Sequence, residues 1–245
     1  MGPSRTRRAV ASLCLALAAC GGAEPEPIQP PSGSEAVVIR PPAGPALAGR
    51  TFGSGRDVVI LAHQNNADMS AWYPIAAELA DDGFHVLAFD FRGFCSGEQC
   101  SEGKRDPSAA AADLRAAIDW TRDRWDVRKL FLVGASMGGT AALLDGAGGR
   151  IDGVVAVSAP RAFEGLEVTS GDLRAIRAPV LFLAGTDDPG GAAGSAEAMY
   201  RLARDPKQIY LAPSDEHGAF LLTHPDGAEA KERMLRFLDL YRDAA

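Results

Sequence analysis

Six short apolar runs, rich in Val, Ile, Leu and Phe, recur along the chain: "DVVILAH" (57–63), "HVLAFD" (85–90), "KLFLVG" (129–134), "IDGVVAVSA" (151–159), "PVLFLAG" (179–185) and "KQIYLA" (207–212). Each is continuous rather than alternating, the pattern of a strand covered on both faces. Helical patterns fill the gaps: "SAWYPIAAELADDG" with Ser70 as its cap, "PSAAAADLRAAIDWTRDR" opening near Pro107, "SMGGTAALLDGAG", "GSAEAMYRLARD" with Ser195 as its cap, and "HPDGAEAKERMLRFLDLYRD" at the end. Strand and helix in steady alternation predict a mostly parallel sheet flanked by helices on both faces. Further strands are expected at Glu35 to Arg40 and within Leu47 to Phe52. In such a sheet, functional groups collect in the loops beyond the carboxyl ends of the strands.

Those ends carry three reactive side chains. After 129–134 comes "LVGASMGGT", in which Gly134, Ser136 and Gly138 spell G-x-S-x-G, a corner that exposes a serine between strand and helix. With 27 glycines in the chain the pattern also arises by chance, and a serine that merely caps a helix gives a similar string. After 179–185 come Asp187 and Asp188 in "AGTDDP", and after 207–212 comes His217 in "PSDEHG". A hydroxyl is weakly nucleophilic until an imidazole takes its proton and a carboxylate orients that imidazole, so this set points to nucleophilic catalysis.

From about residue 57 onward the sequence resembles the α/β-hydrolase family. The resemblance rests on G-x-S-x-G, on "LAHQNN" where the family's oxyanion loop starts with His-Gly, on "FDFRGF" for its D-x-R-G loop, on "GTDD" for G-x-x-D and on "HG" after the last strand. It implies an α/β-hydrolase fold, with Ser136 as nucleophile, Asp188 as orienting acid and His217 as general base. The backbone N–H groups of Gln64 and Met137 would form the oxyanion hole. Asp187 remains the alternative acid and His224 the alternative base. The implied activity is a serine hydrolase cleaving small-molecule carboxylic esters or thioesters through an acyl-enzyme, without cofactor or metal. A serine peptidase or amidase on the same triad, or a surface-tethered binding protein without turnover, are the alternatives.

His63 is expected to shape the oxyanion loop through a side-chain to backbone bond, and His85 to be structural. Trp72, Trp120 and Trp125 lie at amphipathic positions on helical patterns, which predicts core packing, with Trp72 also placed to rim a pocket. The small residues of "DDPGGAAG" predict loose support around Asp188. Only about 18 residues, "RAFEGLEVTSGDLRAIRA", lie between the strands at 151–159 and 179–185, too few for a sizeable lid.

The amino-terminal segment carries a different message. Arg5, Arg7 and Arg8 precede an apolar run from Ala9 to Ala19, the design of a signal peptide, and "LAAC" at Leu17 to Cys20 resembles the lipobox of bacterial lipoproteins. The reading is residues 1–19 as signal peptide, 20–34 as a lipidated Cys20 with a Pro-, Gly- and Glu-rich tether, and 35–245 as one hydrolase domain. The lipid anchor on Cys20 would hold the protein to a membrane of the cell envelope, with Gly21 and Gly22 resembling the signal for an outer membrane. Removing three arginines and no acids leaves 25 − 3 = 22 basic against 32 acidic residues, a balance that argues against nucleic acid. Cys95 and Cys100, in "GFCSGEQC", read as a disulfide in an oxidising compartment. The four scattered histidines and a lone C-x4-C make metal binding the poorer reading.

Overall fold

A computed structural model describes Gly2 and residues 29–244 except Glu98 and Arg150. Apart from Gly2, the signal segment and Cys20 lie outside the described residues.

Eight strands form the main sheet: β1 (Glu35–Ile39), β2 (Leu47–Phe52), β3 (Asp57–Ala62), β4 (His85–Phe89), β5 (Lys129–Ala135), β6 (Gly153–Val157), β7 (Val180–Gly185) and β8 (Lys207–Ala212). Their order is β1-β2-β4-β3-β5-β6-β7-β8. β1, β2 and β4 pair antiparallel, and every pair from β4 through β3 to β8 is parallel. The helices are α1 (Tyr73–Asp81), α2 (Ala110–Arg124), α3 (Met137–Gly146), α4 (Ser170–Ala175), α5 (Ala192–Leu202), α6 (Ala219–Thr223) and α7 (Ala228–Arg242).

The continuous apolar runs are explained by a core on each face of the sheet. Val58, Ile60, Leu130 and Leu132 pack with Leu114, Leu143 and Met199 of α2, α3 and α5. Their neighbours Val59, Leu61, Phe131 and Val133 point the other way, onto Ile75, Leu79, Met234 and Phe237 of α1 and α7. Period-two alternation with an apolar residue on both sides leaves no polar stripe, and register is therefore fixed by burial on two faces at once.

Several local expectations give way to tertiary contacts. Asp68, not Ser70, caps the turn before α1, its Oδ1 accepting the Ser70 N–H at 2.8 Å. Ser195 lies inside α5, where its Oγ accepts the Arg161 N–H at 2.9 Å, and Gly191 precedes the helix in a left-handed conformation. The final helical pattern, from His224 onward, opens as a short 3-10 turn before α7, and α6 precedes it where no helix was expected. Trp72 is fully buried, and Trp125 sits just past α2, stacked on His85. The segment between β6 and β7 holds a two-stranded hairpin (Ala162–Phe163 with Leu166–Glu167) and α4, with no lid.

Candidate active site

Ser136 occupies the corner between β5 and α3 with φ 48° and ψ −116°, a backbone that side-chain-bearing residues avoid. Its N–H donates to Val157 O at 2.8 Å, which ties the corner to β6. The flanking glycines are demanded by contact. A Cβ on Gly134 would lie 2.2 Å from Gly138 O, and one on Gly138 would lie 2.3 Å from Ala62 O. A serine serving as a helix cap would have extended backbone and would bond the first turn through its oxygen. Ser136 does neither, since its side chain makes no capping bond. The hydroxyl is held on a strained corner without a structural use.

Asp188 and His217 meet across the loops that follow β7 and β8. The parallel pairing runs on past the strand ends, Thr186 N–H to Ala212 O and Asp187 N–H to Ser214 O, so both loops leave the sheet side by side. His217 Nδ1 lies 2.7 Å from Asp188 Oδ2. The other carboxylate oxygen, Oδ1, accepts the Gly190 N–H at 2.8 Å. This corrects the expectation of loose support, because the small residues after the acid allow a backbone donor to reach it. Asp188 is buried, whereas the His217 side chain is 30% exposed, leaving one edge of the ring to solvent. Asp187 faces away and accepts from Thr186 Oγ1 at 3.0 Å. His224 is remote in role, its Nδ1 accepting the Asp226 N–H at 3.4 Å to cap the 3-10 turn before α7.

The loop after β3 joins the two halves. Gly138 packs against the carbonyls of Ala62 and His63 on one side of it. On the other, the Gln64 side chain reaches the His217 loop, Oε1 accepting the Ala219 N–H at 3.1 Å. Among the described residues the Ser136 hydroxyl forms no hydrogen bond to His217; the loop of His63 and Gln64 is the shared contact. His63 accepts the Phe91 N–H on Nε2 at 3.1 Å, so Nδ1 carries the proton and donates to Gln64 O at 2.8 Å. Phe91 and Phe94 enclose the ring edge-on, and burial pushes its pKa down to about 4. His63 is thus a neutral brace.

Beneath that loop lies a polar cluster to which sequence reasoning gave no role. Asp90, fully buried, accepts the Met69 N–H at 2.7 Å and the Ser96 hydroxyl at 3.2 Å, and Ser96 also donates to Asp68 at 2.8 Å. Ser101 Oγ donates to Asp90 O at 2.6 Å. Burial pushes the Asp90 carboxyl up to about 7. Ser96 and Ser101 flank a hairpin in which Cys95 stands directly opposite Cys100 and the two form a disulfide. The signal for this cluster was present in "FDFRGF" and "GFCSGEQC"; its burial was not.

A family model described as the alpha/beta hydrolase fold matches residues 57–171. The uncharacterized protein YfhR of Escherichia coli K12 is 31% identical over 205 residues, covering 74% of this chain and 69% of YfhR. The chain belongs to the α/β-hydrolase family. Solved structures agree on the fold of this hydrolase. The Pyrococcus furiosus esterase Pf2001 superposes with a TM-score of 0.72 at 21% identity, over 85% of this chain and 92% of the esterase. A monoacylglycerol lipase from Paleococcus ferrophilus gives 0.64 at 20% identity, over 78% and 98%.

Proposed function

We propose that this hydrolase is a serine esterase that cleaves carboxylic esters or thioesters through an acyl-enzyme. The observation that carries the reading is the strained, non-capping Ser136 beyond the same sheet edge as the Asp188–His217 pair. Similarity of fold to an esterase and a lipase supports ester chemistry.

Each group has a definite task. Asp188 holds the His217 proton on Nδ1, which leaves Nε2 unprotonated to take the Ser136 proton as Oγ attacks the ester carbonyl. The oxygen of the tetrahedral adduct needs donors that are fixed before it forms. Met137 opens α3, so its N–H is one of the four that no helical carbonyl takes, and the Gln64 N–H is the second donor. His217 then protonates the leaving alcohol or thiol, and water activated by the same ring releases the acid. A lidless rim leaves the acyl site open to short or exposed esters.

Cys20 is proposed as the lipid anchor, which would place the enzyme on a membrane of the cell envelope. The activity is tested with p-nitrophenyl esters and peptide amides alongside a fluorophosphonate probe. Ester turnover with label on Ser136 is the expected result; amide cleavage in preference to ester cleavage would move the enzyme to the peptidases.

A further inference from the structure

We infer that the Gln64 side chain is a positioning residue for His217, a strut that sets the general base relative to the oxyanion loop. The inference rests on the triad reading above and concerns a position where the family pattern has glycine, which has no side chain to play such a part.

Four observations converge on it. Gln64 is 1% exposed and its Oε1 accepts the N–H of Ala219, which lies 155 residues away in sequence and two residues past His217. Gly218, between them, turns with φ 64°, and a Cβ there would stand 2.8 Å from Gln64 Oε1, so the backbone after His217 is laid directly against the amide. The same residue's carbonyl is held by His63 Nδ1 at 2.8 Å, which fixes the backbone from which both the strut and the N–H donor spring. Finally, among the described residues Gln64 Nε2 is buried with no partner. A flipped amide would set NH2 against the Ala219 N–H, so only the orientation with Oε1 toward Ala219 makes a bond. An orphaned buried donor costs stability, and a residue selected for the fold alone would have both ends satisfied. What the amide does through Oε1 is therefore its use.

The base is thereby fixed on three sides. Asp188 holds the ring, Ser214 Oγ accepts the Glu216 N–H at 3.1 Å ahead of it, and Gln64 holds the chain behind it. Loss of the last contact frees the backbone on the side of α6 while leaving the backbone N–H of residue 64 in place. The ring would then sample positions away from Ser136, and displacement of a catalytic group by about 1 Å is enough to cost on the order of a hundredfold in rate.

The test compares Gln64→Met and Gln64→Ala, which cannot accept from Ala219, with Gln64→Glu, which can. Measured on the whole enzyme with a p-nitrophenyl ester, Met and Ala are expected to lower kcat by about 10- to 100-fold and leave KM nearly unchanged, with a modest loss of thermal midpoint, larger for Ala, because the buried Ala219 N–H loses its acceptor. Gln64→Glu should recover most of kcat, with the acid limb of kcat/KM moved to higher pH because a carboxylate laid against Gly218, next to His217, favours imidazolium. A Gln64→Met enzyme with wild-type kcat overturns the assignment, as does Gln64→Glu as impaired as Gln64→Met at every pH. Loss of cooperative unfolding in both Met and Ala variants would place Gln64 in the fold and overturn it too. Wild-type enzyme that neither labels at Ser136 nor turns over any ester marks failure of the triad reading instead, so the two failures are told apart.

Discussion

His217 Nδ1 lies 2.7 Å from Asp188 Oδ2, while Asp187, one residue earlier, turns its carboxylate to the Thr186 hydroxyl. Adjacent residues with opposite side-chain directions offer a controlled comparison. Asp188→Asn keeps the shape but offers His217 an amide, which favours the wrong ring tautomer, and ester turnover should fall by up to ~10⁴. Asp187→Asn should leave turnover close to wild type. Equal losses, or a larger loss for Asp187→Asn, would reassign the acid.

Ser136→Ala and His217→Ala should each lower kcat by several powers of ten, and the double variant should be scarcely worse than either, because the groups act as one unit. Ser136→Ala also removes a side chain that caps nothing, so its thermal midpoint should stay near that of wild type. Independent, additive rate losses would mean that the two residues serve different steps.

The sheet was legible because strands covered on both faces leave unbroken runs such as "VVILA", and the corner at Ser136 because glycine is the residue that close backbone approach requires. What depends on contacts distant in sequence was not legible. Ser70 and Ser195 both look like caps, yet Asp68 takes the first role and Arg161 claims the second hydroxyl. Gln64 was readable as a backbone donor, but the use of its side chain depends on Ala219. Asp90 was visible only within "HVLAFD" and "FDFRGF", and its full burial depends on the loops packed around it. The motif favours Asp188 over Asp187, whereas the partners that distinguish them, the His217 ring and the Gly190 N–H, depend on how the two loops fold back.

The disulfide braces a hairpin whose Ser96 holds both Asp68 and Asp90. Cys95→Ala with Cys100→Ala should cost about 2 kcal/mol on the chain-entropy estimate, which lowers the thermal midpoint by roughly 4–8 °C in a domain of this size. Protein cleaved before a lipidated Cys20, unfolded without reductant, should titrate no free thiol. Two free thiols would refute the bridge.

If Cys20 carries the anchor, Cys20→Ala should shift the protein from the membrane fraction to the soluble one. No helix among the described residues is long and apolar enough to cross a membrane. Unchanged partition in the Cys20→Ala protein would remove the lipobox reading.

His63 and Asp90 make opposing demands on pH. They lie 3.7 Å apart, both fully buried, near Asp68, Ser96 and Arg105. Burial depresses His63 from 6.5 to about 4, so the unfolded chain binds its proton more readily; stability from this residue is present above 6.5 and fades as pH falls toward 4. Burial raises Asp90 from 3.8 to about 7, so the folded chain keeps the proton; stability from this residue is present below 3.8 and fades as pH rises toward 7. Across the shared window the two slopes oppose, and the wild-type protein should show little dependence on pH from this pair. Asp90→Asn preserves an acceptor for the Met69 N–H and removes only the falling limb, so its unfolding free energy should climb between pH 4.5 and 6.5, by up to about 1.4 kcal/mol per pH unit. His63→Asn should show the reverse, a decline over the same range. Urea denaturation at several pH values decides the matter: curves for Asp90→Asn and wild type that run parallel would mean that Asp90 is ionised in the folded protein throughout, and the opposition between these two residues would be refuted.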